Sequence, residues 1–207
     1  MNLIIDKKTI TDMPVARFNG RTLVIDNAAD ALQAVAYLAK QSMLGFDTET
    51  RPAFHRGQHH KVALIQLATN DECFLFRINK TGLTQPLVAL LQNPDVLKIG
   101  LSTKDDFHGL NKISPCTPQG VIELQNYVKE FHIADQSLQK IYAIIFGEHI
   151  TKGQRLTNWE APELTQSQID YASLDAWACL HIYRHLSDGH FDPFTSPYCV
   201  VDQNLQL

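Results

Sequence analysis

Two acidic clusters far apart in the chain contain the residues best suited to chemistry. Asp47 and Glu49 are two positions apart in a segment with strand character, so both carboxylates project from one face of the strand. Tyr171 and Asp175 are four positions apart in a helical segment, so their side chains share one helix face. If the fold brings these faces together, three carboxylates and a phenol converge. Such a group could hold a divalent metal ion and position a water molecule beside it.

Each of these residues also has an ordinary structural explanation. Two carboxylates as close as Asp47 and Glu49 repel one another and are costly to bury unless a cation lies between them, which favours a metal site. They could instead lie in solvent beyond the strand end, with Asp47 or Thr48 capping a turn. Tyr171 taken alone could be a tyrosine at the edge of the core, and Asp175 taken alone could be a solvated helix charge.

A third acidic cluster follows a short apolar segment at residues 97–100. Ser102 and Asp105 have the Ser-x-x-Asp spacing of a capping box, so Asp105 is expected to stabilise the start of a helix. Asp106 has no such local role. We therefore predict that Asp106, rather than Asp105, faces the metal site.

The apolar patterns predict one α/β domain with a mixed sheet. Asn27 is a predicted N-cap, and Thr165 with Gln168 forms a predicted capping box at the start of the last long helix. The domain is predicted to span residues 1–207, with its core at about 20–187 and an irregular tail at 188–207. Strands are predicted at 21–26, 43–48, 62–67, 73–76, 97–100 and 121–124, and helices at 27–40, 85–91, 103–110, 137–147 and 165–187.

The composition is that of an ordinary soluble globular protein. The chain has 207 residues, of which 44% are hydrophobic and 19% are charged. No segment has the length and apolarity of a membrane span, and the N-terminus lacks the pattern of a signal peptide. The 4 cysteines form no Cys-x-x-Cys pair, which favours a reducing, cytoplasmic location. The net charge of −4 disfavours a protein that holds long nucleic acid by charge alone, but not an enzyme that holds a strand end through bound metal ions.

The three clusters together resemble the three exonuclease motifs of the DEDD superfamily, in the subgroup whose third motif carries a tyrosine. Residues 61–67, 156–159 and 163–165 are also similar to the exonuclease domain of Werner-syndrome-type proteins and to ribonuclease D. The resemblance covers about residues 20–187 and implies an α/β, RNase H-like fold with a mixed five-stranded sheet flanked by helices. The motif residues are Asp47-Thr48-Glu49 in the first motif, Asp106 within residues 100–110 in the second, and Tyr171-Ala172-Ser173-Leu174-Asp175 in the third.

This resemblance implies a metal-dependent 3′–5′ exonuclease that releases nucleoside 5′-monophosphates. Two Mg²⁺ or Mn²⁺ ions would activate the attacking water and stabilise the leaving oxygen, and hard oxygen ligands favour these ions over zinc. By similarity, Asp47 would bridge both ions, while Glu49 and Asp175 would complete the first site. Asp106 would support the second site. Tyr171 would orient the nucleophilic water.

Four further residues are predicted to bind the substrate, a single-stranded or 3′-ended nucleic acid. Phe54 and His108 could contact terminal bases. Lys152 and Arg155, in a loop before the third motif, could contact backbone phosphates, although a single basic residue is more often a solvated surface charge. Gln66, a polar residue in an apolar strand, is predicted to make structural hydrogen bonds near the site.

The sequence leaves the type of nucleic acid open. Similarity to Werner-type exonucleases at residues 61–67 favours DNA, whereas similarity to ribonuclease D suggests trimming of RNA 3′ ends; the distinction depends on contacts with the 2′-hydroxyl. A non-catalytic scaffold that binds nucleic acid on the same fold is the alternative from a different class. Ribonuclease D proteins carry helical C-terminal domains, and this chain ends soon after its last predicted helix. We therefore expect low processivity, or dependence on a partner or on homo-oligomerisation.

Overall fold

The computed structural model describes residues 1–55 and 57–200, which form strands and helices of various lengths. Two short 3₁₀ helices occur at Val128–Phe131 and Pro193–Thr195. The strands are β1 (Asn2–Leu3), β2 (Arg21–Ile25), β3 (Met43–Thr50), β4 (Val62–Ala68), β5 (Glu72–Arg77), β6 (Leu97–Gly100), β7 (Val121–Glu123) and β8 (Cys199–Val200). The helices are α1 (Lys7–Thr11), α2 (Ala28–Leu38), α3 (Ile78–Thr81), α4 (Gln85–Gln92), α5 (Thr103–Asn111), α6 (Leu124–Tyr127), α7 (Leu138–Phe146) and α8 (Gln166–Ser187).

A mixed sheet of six strands in the order β2-β5-β4-β3-β6-β7 forms the centre of the fold. Strand β4 is antiparallel to both β3 and β5, whereas β2 is parallel to β5 and β3, β6 and β7 are parallel to one another. The predicted α/β class and mixed sheet are confirmed. All six predicted strand segments join this sheet, so it has one strand more than the five that the resemblance implied.

The two faces of the sheet are covered by different helices. On β3, Leu44 and Phe46 join a buried cluster with residues of α2, α4 and α5. Successive side chains of a strand point to opposite faces, so Asp47 and Glu49 project toward the other face. There α8 packs across β3, β4, β5 and β6. The alternation along β3 therefore separates an apolar set of side chains from the acidic pair.

The helix caps show where local sequence determines an element boundary. Asn27 accepts a hydrogen bond from the Asp30 N–H at 3.0 Å and caps α2 as predicted. The capping box of α8 is also confirmed, because the Thr165 hydroxyl accepts from the Gln168 N–H at 3.3 Å and the Gln168 side chain accepts from the Thr165 N–H at 3.0 Å. Both caps satisfy backbone N–H groups that a helix leaves unpaired at its first turn.

The face of α2 differs from the prediction in two positions. The apolar spacing of residues 27–40 predicts a face made of Leu32, Val35, Leu38 and Ala39, but Leu32 is 58% exposed and Ala39, the C-cap residue, is also exposed. The helix instead packs through Ala31, Ala34, Val35 and Leu38, whose spacing of three and four positions forms one stripe. This stripe joins the same buried cluster as residues of α4 and β3, and Leu32 lies outside it.

Residues 2–3 and 199–200 pair in a second, small sheet. Strand β1 pairs antiparallel with β8, so residues 199–200 of the predicted irregular tail form a strand. Residues 201–207 of that tail lie outside the described residues. Within residues 1–55 and 57–200, no helix combines the length and apolarity needed to cross a membrane.

Candidate active site

Strand β3 and helix α8 bring the first and third motifs together. Gly45 makes this approach feasible, because a side chain at that position would collide with the carbonyl oxygen of Ala176 on α8. Asp47, Glu49 and Asp175 offer carboxylate oxygens that all lie within 4.8 Å of one another. Glu49 and Asp175 are buried, with exposed fractions of 8% and 6%. The convergence of the three carboxylates is thus present, and the solvent-exposed alternative for this acidic pair is wrong.

Tyr171 lies one helical turn before Asp175 and lines the same cleft. Its ring contacts the fully buried Trp159, with ring centroids 6.1 Å apart. The loop that carries Trp159 is tied to α8, because the Gln168 side chain donates to the Thr157 hydroxyl at 2.9 Å and to the Asn158 carbonyl at 3.3 Å. These contacts hold the phenol beside the carboxylates.

Helix α5 brings Asp106 to the cleft from the other face of β3. Gly100 allows the approach, since a side chain there would lie 2.8 Å from the Phe46 carbonyl oxygen. The Thr48 hydroxyl donates a hydrogen bond to the Asp106 carboxylate. Asp106 is half-buried and is not part of the three-carboxylate group, whereas its neighbour Asp105 is exposed at the rim of the same cleft. The geometry therefore favours Asp106 over Asp105 as the residue directed inward.

The predicted capping box at Ser102 and Asp105 is wrong. Ser102 has a left-handed backbone conformation, with φ of 62° and ψ of 30°, and its side chain makes no capping hydrogen bond. The Ser102 and Thr103 N–H groups donate instead to the carboxylate of Glu123, at 3.0 and 2.8 Å. A capping box needs an extended N-cap residue. The partner in the structure is distant in sequence, so local spacing could not reveal it.

Burial raises the pKa values of all four carboxylates. The pKa of Asp47 is raised well above its usual range by burial and then by the charges of Asp106, Asp175 and Glu49. Burial and the nearby Asp175 raise the pKa of Glu49 to about 9, and burial raises the pKa of Asp175 to about 7. Burial also raises the pKa of Asp106 to about 7, against the lowering effect of the Thr48 hydrogen bond. Burial and mutual repulsion thus favour the protonated forms of these carboxylates unless further positive charge lies close to them.

Among the described residues that line the cleft, Lys152 and Arg155 carry positive charge. Both line the cleft, which has a volume of about 440 Å³. The charge of Arg155 lowers the pKa of Glu49, and that of Lys152 lowers the pKa of Asp175, so each opposes the effect of burial on one carboxylate. The loop before α8 therefore places both predicted phosphate-contacting residues at the mouth of the acidic cluster.

Phe54 and His108, the other predicted substrate contacts, do not line this cleft. Phe54 is 71% exposed and His108 is also exposed, and their roles stay predictions. Phe107 belongs to the core, since it is 5% exposed and stacks on Phe46 with ring centroids 4.8 Å apart.

Three residues near the site show where the sequence interpretation was incomplete. Gln66 lies opposite Asp47 in the β3–β4 register and is fully buried, yet its amide has no hydrogen-bond partner among the described residues, contrary to the prediction. The sequence predicts for Thr48 only a possible turn cap and a place in the first motif, although its position between Asp47 and Glu49 directs it to the opposite face of β3. The sequence predicts Glu123 only as a strand residue. The available signal is an acidic residue at the end of a buried-type strand.

The donor set fits divalent metal ions that prefer oxygen ligands. Three carboxylates from two elements offer hard oxygen donors at close range, as Mg²⁺ and Mn²⁺ sites require. The raised pKa values of the carboxylates point the same way, because a cation would offset their repulsion and burial.

A model of the protein family described as 3′-5′ exonuclease matches residues 23–189. That range includes β3, α5 and α8, and with them the four carboxylates of the candidate site and Tyr171. The chain belongs to the 3′-5′ exonuclease family. The family resemblance that the three motifs indicated is thereby confirmed.

Curated relatives of this exonuclease agree with that assignment. The exonuclease mut-7 homolog of Aedes aegypti is 28% identical over 200 residues, which cover 82% of this chain and 27% of the relative. The bifunctional 3′-5′ exonuclease/ATP-dependent helicase WRN of Mus musculus is 31% identical over 157 residues, covering 73% and 11%. Ribonuclease D of Haemophilus influenzae is 33% identical over 170 residues, covering 79% and 41%. The chain thus spans less than half the length of each of these relatives.

Solved structures show the same fold. The Nibbler EXO domain of Aedes aegypti has a TM-score of 0.72 with 23% identity, covering 94% of this chain and 96% of the other. Escherichia coli RNase D has a TM-score of 0.73 with 21% identity, covering 81% and 44%. These structures have the RNase H-like fold, which confirms the predicted fold of this exonuclease domain.

Proposed function

We propose that this protein is a metal-dependent 3′–5′ exonuclease that hydrolyses the terminal phosphodiester bond of a nucleic acid and releases nucleoside 5′-monophosphates. One observation carries the proposal: Asp47, Glu49 and Asp175 converge within 4.8 Å at the base of a cleft that Tyr171 also lines. Membership of the 3′-5′ exonuclease family supports it independently. A scaffold without catalysis would have no use for buried carboxylates that repel one another.

The resemblance of the motifs and the positions of the residues support the following roles. Asp47, Glu49 and Asp175 would hold two Mg²⁺ or Mn²⁺ ions, with Asp106 supporting them from α5. When bound, these ions would lower the pKa of the attacking water and stabilise negative charge on the leaving oxygen. Tyr171 would orient the attacking water through its hydroxyl. Burial and the neighbouring Asp175 keep the pKa of this phenol raised, so the hydroxyl keeps its proton and remains a hydrogen-bond donor.

Lys152 and Arg155 would bind the phosphate groups of the substrate end. Both are exposed at the mouth of the cleft, where a terminal phosphodiester must enter to reach the carboxylates. Their charges also offset the acidic cluster, whose negative charge would otherwise repel a phosphate. Phe54 and His108 would act only with longer substrates, since neither lines the cleft.

We favour a single-stranded or 3′-ended DNA as the substrate, because residues 61–67 resemble the Werner-type exonucleases. RNA 3′-end trimming is the second candidate. Ribonuclease D of Haemophilus influenzae is 33% identical, and the Escherichia coli neighbour is described as an exoribonuclease involved in structured RNA processing. The decisive contact would be one to the 2′-hydroxyl of the terminal nucleotide.

The same proposal covers how the chain is organised and where it works. Residues 1–207 would act as a single exonuclease domain. Cys73, Cys116, Cys179 and Cys199 are free thiols, which suits a reducing cytoplasm. Homo-oligomerisation would add a second copy of the substrate-binding residues. Light scattering on the purified protein tests this point directly.

The test of the function uses oligonucleotides of one sequence, made as DNA and as RNA. A label at the 5′ end reports the length of each product as the 3′ end is shortened, and chromatography detects the released nucleotides. We expect a ladder of products shortened from the 3′ end with Mg²⁺ or Mn²⁺, mononucleotide release, and no reaction with EDTA. Faster shortening of DNA is the expected preference, and faster shortening of RNA would favour the second candidate. Metal-independent cleavage, or no release from either polymer, would reject the proposed exonuclease.

A further inference from the structure

The first turn of α5 is held by one distant carboxylate. Glu123 lies at the end of β7, directly opposite Gly100 in the parallel pairing of β6 with β7. Its carboxylate accepts four hydrogen bonds: from the Ser102 N–H at 3.0 Å, the Thr103 N–H at 2.8 Å, the Thr103 hydroxyl at 2.9 Å and the Gln125 N–H at 3.1 Å. One side chain therefore ties together the end of β6, the start of α5 and the start of α6.

This arrangement replaces a local cap that α5 lacks. Ser102 has positive φ, a backbone conformation that is unfavourable for residues with a side chain, and its hydroxyl caps nothing. Such strain persists only where the surroundings enforce it, and strained residues are frequent at functional sites. The bonds to Glu123 involve a charged acceptor, which makes them stronger than bonds between neutral groups. Glu123 therefore stabilises the strained start of α5.

The start of α5 also determines where Asp106 lies. Asp106 is in the first turn of the helix, three positions after Thr103. Its carboxylate faces Thr48 on β3, and Gly100 lets the same segment approach β3 closely. A change in the path of residues 101–103 would therefore move Asp106 away from both Thr48 and the other carboxylates.

We propose that Glu123 is the positioning residue for Asp106: it does not touch the substrate, but its hydrogen bonds to Ser102 and Thr103 hold Asp106 at the acidic cluster. The inference rests on the proposed exonuclease function for its catalytic consequence. Its structural part, the capping of α5, stands apart from that function. Residues that orient metal ligands from outside the coordination sphere usually change metal affinity or activity by about 10- to 100-fold when they are removed.

The experiment compares Glu123→Ala and Glu123→Gln with the wild-type protein. Glu130→Ala is the matched control, because Glu130 is an exposed acidic residue in the 3₁₀ helix that follows α6. Three quantities are measured: amide hydrogen exchange of residues 102–106, Mn²⁺ affinity by calorimetry, and turnover and KM on a single-stranded oligonucleotide. We expect Glu123→Ala to speed exchange at Ser102 and Thr103 by about tenfold or more. We expect it to lower turnover by about 10- to 100-fold with little change in KM.

The conservative variant separates positioning from general stability. Glu123→Gln keeps one acceptor oxygen, so it should retain part of the protection at Thr103 and recover part of the turnover. Glu130→Ala should change none of the three quantities. If Glu123→Ala does not fold, Glu123→Gln still tests whether Glu123 positions Asp106. If Glu123→Gln has the same amide exchange, Mn²⁺ affinity and turnover as the wild-type protein, the proposal is overturned.

A double-mutant cycle with Asp106→Ala tests whether Glu123 acts through Asp106. We expect the loss of turnover from Glu123→Gln to shrink strongly once Asp106 is absent, while its effect on exchange at Ser102 remains. An equal loss of turnover in both backgrounds would overturn the positioning role. If the wild-type protein releases no nucleotides, the proposed function fails, and Mn²⁺ affinity in the same cycle still tests this inference.

Discussion

Helices α5 and α8 each supply a carboxylate to one cleft, but different interactions hold their first turns. The 22 residues of α8 begin with a capping box made entirely between Thr165 and Gln168. The 9 residues of α5 begin at Ser102 in a strained conformation, and the capping carboxylate comes from Glu123, 21 positions away. Local spacing therefore predicts how a helix begins only where the bonds that hold its first turn are local. It correctly predicts the capping box of the helix that carries Asp175, whereas the carboxylate that holds the first turn of the helix with Asp106 comes from a distant strand.

The largest effect should come from the carboxylate on α8. Asp175 is in the group of three within 4.8 Å, whereas Asp106 is outside it. We expect Asp175→Ala to lower metal-dependent turnover by at least about a hundredfold, because metal ions contribute several kcal/mol to such reactions. Asp106→Ala should have a smaller effect. Asp170→Ala on the exposed side of α8 is the control, and rates on one oligonucleotide measure all three. Equal losses for Asp106 and Asp175 would break the comparison between the helices.

Tyr171 is the second functional residue on α8, and Tyr171→Phe removes only its hydroxyl. We expect a fall in turnover of roughly a hundredfold, which is the range for a group that assists proton transfer or orients water. KM and Mn²⁺ affinity should change little, since the ring and its contact with Trp159 remain. Single-turnover kinetics separate these quantities. An unchanged rate would remove Tyr171 from the mechanism.

The pH dependence of stability tests the buried carboxylates of β3, α5 and α8 together. The pKa values of Asp106 and Asp175 rise from 3.8 to about 7 on folding, and that of Glu49 rises from 4.5 to about 9. Between these limits the folded protein binds more protons than the unfolded chain, so its stability falls as pH increases from about 4 to about 9. We expect this fall in unfolding experiments with EDTA, and a weaker fall with saturating Mn²⁺. A metal-free stability that rises over this range would contradict the buried cluster.

Thr165, the N-cap residue of α8, should matter for stability but not for chemistry. Thr165→Ala removes one acceptor at the first turn and should lower the free energy of unfolding by about 1 kcal/mol. Turnover per folded molecule should stay unchanged, because several packed turns lie between the cap and Asp175. Urea unfolding and oligonucleotide rates measure the two effects. A large loss of turnover would show that α8, like α5, depends on its first turn.

At the start of α5, a substitution should raise the free energy of unfolding, whereas Thr165→Ala at the start of α8 should lower it. Ser102→Gly relieves the strain of a positive φ while leaving the backbone N–H that donates to Glu123. We expect the free energy of unfolding to rise by about 0.5–1 kcal/mol, because glycine adopts this conformation without steric cost. Chemical unfolding measures the change. A loss of stability would show that the serine hydroxyl has a role that the structure does not reveal.

Much of this molecule could be predicted from short stretches of sequence. The strand β3 and the helix α8 follow from periodicity, and the resemblance of their motifs to known exonucleases indicated the family. Six strand segments could also be predicted, although the resemblance implied a sheet of five strands and the structure has all six in one sheet. The capping of α5 by Glu123 and the contact of Thr48 with Asp106 depend on pairing between distant segments. A local pattern can mark such a residue as unusual, but register and helix approach determine its partner. On α2 the apolar spacing allows two overlapping faces, and packing selects the one without Leu32.

We propose that carboxylates from β3, α5 and α8 jointly hold two cations at one site. The decisive measurement is diffraction from crystals soaked with Mn²⁺ and a nucleoside 5′-monophosphate, collected at the manganese absorption edge. We expect two anomalous peaks in the cleft, both next to Asp47, with Glu49 and Asp175 at one and Asp106 near the other. Peaks elsewhere on the protein, or an acidic cleft without manganese, would contradict it.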